Sequence, residues 1–95
     1  MSLSELERWY ASQCNGDWEH SYGVKIDTLD NPGWRVQIDL HGTDRQDAEL
    51  ERVKIARTDA DWITYWVEKK QFNIACGATN LTEAVQIFIR WFESQ

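Results

Sequence analysis

The stretch Trp18-Glu19-His20-Ser21-Tyr22-Gly23-Val24-Lys25-Ile26-Asp27-Thr28-Leu29-Asp30-Asn31-Pro32-Gly33-Trp34-Arg35-Val36-Gln37-Ile38-Asp39-Leu40 decides the fold class. Its large apolar residues recur at every second position, first as Trp18, Tyr22, Val24 and Ile26 with His20 on the same parity, then as Trp34, Val36, Ile38 and Leu40. A period of two belongs to a strand with one face buried. Between the two runs, Asp30-Asn31-Pro32-Gly33 reads as a turn with an exposed tip. Pro32 presets φ at the second turn position, and Gly33 supplies the positive φ that a type II turn needs next. Two half-buried strands around such a turn form a β-hairpin. Its second strand sends Trp34, Val36, Ile38 and Leu40 inward and Arg35, Gln37 and Asp39 outward.

Working outward, Ser2-Leu3-Ser4-Glu5 has the form of a capping box, and Leu3, Leu6 and Tyr10 follow at helical spacing with Trp9 beside them. This predicts a first helix to about Cys14, closed by Asn15-Gly16. Beyond the hairpin, His41 to Asp47 is a polar connection expected as an exposed loop. Val53 and Ile55 then alternate with Arg52 and Lys54 in a third strand, although residues 48–52 also tolerate a helical turn. After the turn Asp59-Ala60-Asp61, Trp62 to Val67 is a β-branched and aromatic run with large groups on both parities, a fourth strand. Phe72 and Ile74 extend that strand or follow it. Gly77-Ala78-Thr79-Asn80 leads into a last helix, with Asn80 as N-cap, Glu83 three residues on, and the stripe Leu81, Ala84, Val85, Phe88 and Trp91 or Phe92. The expected architecture is a single α+β domain spanning residues 1–95: a four-stranded antiparallel meander sheet, with the N- and C-terminal helices packed on one face. The opposite face is then open, and whichever parity of the fourth strand faces the helices, the other places aromatic rings on that face.

A chain of 95 residues supports one core, since this size buries only roughly two-thirds of its unfolded surface. Six Trp, three Tyr and three Phe supply core area that aliphatic residues do not. The net charge of -6 is uneven: residues 1–51 carry 11 acids against 4 bases, and residues 52–95 carry 5 against 6. That sign disfavours direct nucleic-acid binding and favours a basic partner, although an acidic surface also serves solubility alone. No apolar run approaches the ~20 residues that span a bilayer, and the start has neither the basic region nor the apolar run of a signal peptide. The cytoplasm is the expected compartment, where Cys14 and Cys76 stay reduced.

The densest cluster of reactive residue types is Cys14-Asn15-Gly16-Asp17-Trp18-Glu19-His20, in which a Cys14–His20 pair is the nucleophile candidate. Cys14 falls at the C-terminal end of a helix, where the dipole raises a thiol pKa, so core packing for Cys14 and a partly buried, hydrogen-bonded His20 are favoured. Cys76, a few residues ahead of the last helix, is better placed electrostatically, but a small buried Cys at a strand end is the preferred reading. A zinc site would draw on Cys14, His20, His41 and Cys76, and no close pair among them nucleates one. Asp27 and Asp39 lie on the same hairpin, yet acid–base work needs a cleft that nothing here predicts. A phosphate-cradling glycine loop is absent, and no cofactor or metal is implied. A further alternative is a stacking site for a sugar or nucleobase on Trp62 and Trp66.

The stretch Trp9-Tyr10-Ala11-Ser12-Gln13-Cys14-Asn15-Gly16-Asp17-Trp18-Glu19-His20, with the later Asp30-Asn31-Pro32-Gly33-Trp34, resembles the N-terminal signature of immunity protein family 53 of bacterial polymorphic-toxin systems. The likeness extends more loosely through Asp39-Leu40, Asp61-Trp62 and the final helix. It implies a non-enzymatic antidote that binds a cognate toxin, and a basic, nuclease-like toxin fits the charge. On this reading the partner-facing residues are Glu19, Asp27, Arg35, Asp39, Trp62 and Trp66 on an acidic, aromatic-bearing open face. Trp18, His20 and the turn Asp30-Asn31-Pro32-Gly33-Trp34 then maintain the fold. A homodimer through the open face would bury the same rings.

Overall fold

The computed structural model describes residues 2–94, and of Ser2 the backbone only. The capping box that rests on the Ser2 side chain therefore lies outside the described residues. The elements are α1 (Ser2–Gln13), α2 (Trp18–Ser21), β1 (Val24–Leu29), β2 (Gly33–Asp39), β3 (Leu50–Ala56), β4 (Trp62–Glu68), β5 (Gln71–Cys76) and α3 (Leu81–Glu93). The α+β class and the antiparallel sheet are as expected, but the sheet has five strands in the order β1-β2-β5-β4-β3 and is not a four-stranded meander. Phe72 and Ile74 belong to a separate strand, β5, which turns back beside β4 and then pairs β2 on its other side.

The reason this strand escapes a sequence reading lies in its turn. Glu68-Lys69-Lys70-Gln71 reverses the chain with positive φ at Lys69 (53°) and Lys70 (58°). Two consecutive left-handed residues give the type I′ hairpin, which favours Asn-Gly because other side chains are strained there. Two lysines carry no such signal.

The core lies between the sheet and the helices. Val36, Ile38, Phe72, Ile74 and Cys76 are fully buried, and above them sit Leu6 and Trp9 of α1 with Ala84, Val85, Phe88 and Ile89 of α3. Rings hold the layers together: Trp9 meets Phe88 edge-on at 5.0 Å and Phe92 at 5.4 Å, while Phe72 lies 5.2 Å from Phe88 and 4.8 Å from Trp91. Such contacts add about 0.5–1.5 kcal/mol per pair beyond area burial. The stripe predicted for α1 is shifted, since Leu6 and Trp9 are buried while Leu3 and Tyr10 stay exposed.

Two local readings of the hairpin change. Residues 18–21 form the short helix α2 and not a strand start, so Trp18 is buried as expected but His20 is exposed. The Asn15 side chain causes this, accepting the amides of Asp17 (3.0 Å) and Trp18 (2.8 Å), with Gly16 at φ 90°. An Asx turn of this kind winds the backbone into a helical turn. Gly33 does not supply a positive φ. It is the first residue of β2, paired with Leu29, and its missing side chain leaves room for the Cys76 carbonyl, which a Cβ would strike. Trp34 fastens the same corner by donating its indole N–H to Ala78 O at 2.9 Å.

The connection after β2 is also more than an exposed loop. Leu40 and Thr43 are buried. Arg45 donates to Phe92 O (3.1 Å) and Trp91 O (3.2 Å), satisfying carbonyls that the end of α3 leaves open. Asn80 occupies the N-cap position of α3 but makes no cap bond. Buried at 5 % exposure, it instead accepts the Trp62 amide (3.3 Å) and donates to Asp61 (2.9 Å).

Two outcomes follow for urea denaturation. Asn80→Ala removes a buried side chain that accepts the Trp62 amide and donates to Asp61, and should lower unfolding free energy by about 1–3 kcal/mol. Lys69→Asn combined with Lys70→Gly should raise it by about 1 kcal/mol, because the pair then fits the turn.

Candidate interaction surface

β-Strand alternation sends one set of side chains to the helices and leaves the other set uncovered. Val36 and Ile38 face the core, so Arg35, Gln37 and Asp39 point to the free face, and cross-strand register extends that face over the whole sheet. One row runs Asp27, Arg35, Ala75, Thr64 and Lys54; the next runs Lys25, Gln37, Asn73 and Trp66. Trp62 flanks Thr64 on the other side and lies against Gly33, 3.6 Å from where a Cβ would be.

Five of the six residues expected to meet a partner, Asp27, Arg35, Asp39, Trp62 and Trp66, therefore share this face. Glu19 does not. Its carboxylate turns back on its own loop and accepts the amides of Asn15 (2.9 Å) and Gly16 (2.8 Å). Glu19's own backbone N–H together with those two amides holds its carboxyl below the usual carboxylate range. Glu19 closes the α1–α2 loop rather than presenting charge.

The face is not acidic. Asp27, Asp39 and Glu68 share it with Lys25, Arg35, Arg52 and Lys54. Several of these charges are already engaged. Arg35 bridges Asp27 at 3.2 Å. Asp39 accepts the Gly23 amide and the Gln71 side chain, both at 2.9 Å. The chain's acidic excess instead sits on α1 and on loops, as exposed Glu7, Asp17, Asp30, Asp44 and Asp47.

Trp66 is the most constructed feature of the face. The Arg52 guanidinium lies over its ring at 3.8 Å, and its indole N–H donates to Glu68 at 2.8 Å. Arg52 reaches it because the β3–β4 register shifts between Leu50 and Val53. A β-bulge re-aims side chains in this way, and only a paired strand reveals it. The guanidinium also occupies one face of the ring, which removes half of the stacking platform expected for a sugar or base. Between Trp62 and Trp66 the Thr64 hydroxyl is buried with no hydrogen-bond partner among the described residues.

The thiol alternative loses its better-placed cysteine. Cys76 is fully buried, and burial pushes its thiol up. Cys14 donates its thiol to Tyr10 O at 3.3 Å, an ordinary contact at the end of a helix. No cluster of His, Cys, Asp or Glu that could hold a metal occurs among the described residues. No described helix is long and apolar enough to cross a membrane.

The geometry thus offers a broad, uncovered sheet face with two half-buried tryptophans and a mixed polar surround, a surface suited to binding. The chain belongs to the immunity protein 53 family, whose model matches residues 3–93. No significant match exists among the curated proteins or the solved structures.

Glu19 gives a pH-dependent signature. Because its folded carboxyl titrates below its unfolded value, its contribution to stability is present above the ordinary carboxylate range and is lost as pH falls through the lowered value. Glu19→Gln should therefore destabilise the chain at neutral pH, with the difference from the parent shrinking in acid, as read by denaturation midpoints at both pH values.

Proposed function

We propose that the chain is the antidote to a cognate bacterial toxin domain and neutralises it by docking through the uncovered sheet face. Membership of an immunity-protein family over residues 3–93 is the observation that carries this reading. Trp62 and Trp66 serve as apolar anchors, with Asp27, Arg35 and Asp39 as polar surround. Large rings held by neighbours lose little freedom on binding, and interfaces concentrate their affinity in such residues. Trp66 is already fixed by Arg52 and Glu68. The mechanism is occlusion: the antidote covers the toxin's active site or substrate path and performs no reaction.

The net charge of -6 favours a basic toxin domain, as a nuclease that must attract phosphate would be. Because the acids are spread over α1 and the loops, charge here accelerates encounter and contributes little to the docked contact. Nucleic acid and membrane are not partners on this reading, and the cytoplasm is where the antidote would meet its toxin.

Co-expression with a toxin-domain protein encoded beside this chain tests the proposal. The parent chain should copurify with the toxin and restore growth. Trp66→Ala should weaken binding at least tenfold, about 1.4 kcal/mol, with little change in melting temperature, and raised salt should slow association. Absence of both copurification and protection with the parent chain would refute the function. Full affinity in Trp66→Ala and Trp62→Ala would move the docking surface elsewhere.

A further inference from the structure

The large apolar side chains left exposed among the described residues, Leu3 (59 %), Tyr10 (37 %) and Ile26 (37 %), gather at one edge of the molecule. Leu3 and Tyr10 line a cleft of about 330 Å³ with Leu6, Glu7, Gly23 and Val24, and Ile26 follows Val24 on the same face of β1. β1 is an edge strand, since it pairs β2 and nothing beyond. Its free backbone is defined by the neighbouring ladder: the Asp39 amide donates to Gly23 O at 3.0 Å. In an antiparallel pair the main-chain groups alternate between the two sides, so Lys25, Asp27 and Leu29 also face β2. Val24, Ile26 and Thr28 aim their N–H and C=O groups outward.

We propose that a second copy of this chain pairs on that edge, β1 against β1, antiparallel about a two-fold axis through Ile26. Backbone alternation admits only registers in which an outward-aimed residue opposes another. Centring the axis on Lys25 sets two ammonium groups face to face, and centring it on Asp27 sets two carboxylates together; directly opposed like charges destabilise a sheet. Centring on Ile26 places each Lys25 opposite Asp27 of the other copy, twice, on the free face. On the helix side Ile26 meets itself and Val24 meets Thr28. About six main-chain hydrogen bonds result from the three outward-aimed pairs. A lone charge protects an edge strand from pairing, but a Lys and an Asp two residues apart become complementary in an antiparallel copy.

Asp27 already pairs with Arg35 at 3.2 Å, so in the dimer its carboxylate lies between two cations. β2 and β5 separate this edge from Trp62 and Trp66. The dimer therefore leaves both rings free, and one ten-stranded sheet carries two separate toxin-facing surfaces.

Sedimentation of the purified 95-residue chain tests this directly. The parent should show twice the 11.2 kDa of one chain at concentrations of about 100 μM. Lys25→Asp alone and Asp27→Lys alone should each be at least tenfold weaker in self-association. An equimolar mixture of the two should regain the dimer, since every opposed pair is then of opposite charge. Ile26→Pro removes an outward N–H without touching the β2 ladder, a substitution that edge strands tolerate. It should abolish the dimer while circular dichroism stays that of the parent. A monomeric parent, a mixture that stays monomeric, or a dimer that persists in folded Ile26→Pro would each overturn the proposal. Loss of toxin capture by Ile26→Pro with a monomeric parent would assign the edge to the toxin instead.

Discussion

The double pairing of β5 is the constraint on which the rest of the structure depends. β1–β2 is one antiparallel unit and β3–β4 is another, and neither touches the other in the sheet. β5 joins them, with Ile74 opposite both Val36 and Tyr65. A strand paired on both sides and covered by helices on one face is the most fully buried environment this chain offers, and Phe72, Ile74 and Cys76 are accordingly inaccessible to water. α3 follows directly from β5 and lays Phe88 and Trp91 on Phe72. α1 then docks on α3 through Trp9.

That arrangement determines which surfaces remain for partners. Two helices cover the middle of a five-stranded sheet and leave the edges and the entire opposite face uncovered. The two kinds of exposed surface differ in character. The opposite face is broad and mixed in charge, with indoles held in place by Arg52, Glu68 and the close approach of Gly33. The β1 edge combines unused backbone groups with exposed apolar side chains of β1 and of the neighbouring α1. Shape and rigidity characterise the first surface, hydrogen-bonding capacity the second.

Charge plays a smaller part locally than composition suggests. Much of it is spent on holding the chain to itself. Arg57 lies between Asp61 and Glu83, tying the β3–β4 turn to the first turn of α3, and hydrogen bonds to Asp61 and then Glu83 raise its guanidinium pKa further. Asp61 is held below the usual carboxylate range, chiefly by Arg57 and then by Asn80. Lys70 reaches Asp47 at 2.9 Å. These exposed ion pairs each contribute little, about 0–1 kcal/mol, but Asp61 also accepts the side-chain amide of Asn80, which is buried at 5 % exposure.

By itself the sequence determined what depends on neighbours along the chain. Trp34 to Leu40 alternates because one face is buried, the stripe of α3 repeats with the helical turn, and the signature from Trp9 to Trp34 carries the family. It also set Asp27, Arg35 and Asp39 on one side of the hairpin and Trp62 and Trp66 on one side of their strand, since parity is local, but that these two sides form one face came from the pairing of β5 with both β2 and β4. Tertiary structure decided the rest. The strand identity of β5 depends on two lysines accepting a left-handed conformation, a cost met by pairing on both sides. Glu19 lies outside the sheet because its own carboxylate holds the amides of Asn15 and Gly16 while Asn15 holds those of Asp17 and Trp18, which winds this segment into α2. Arg52 met Trp66 only through a register shift between strands. Parity, helical period and motif are written in consecutive residues, whereas pairing partners, bulges and buried polar junctions arise from contacts between segments far apart in the chain, and only packing selects among them.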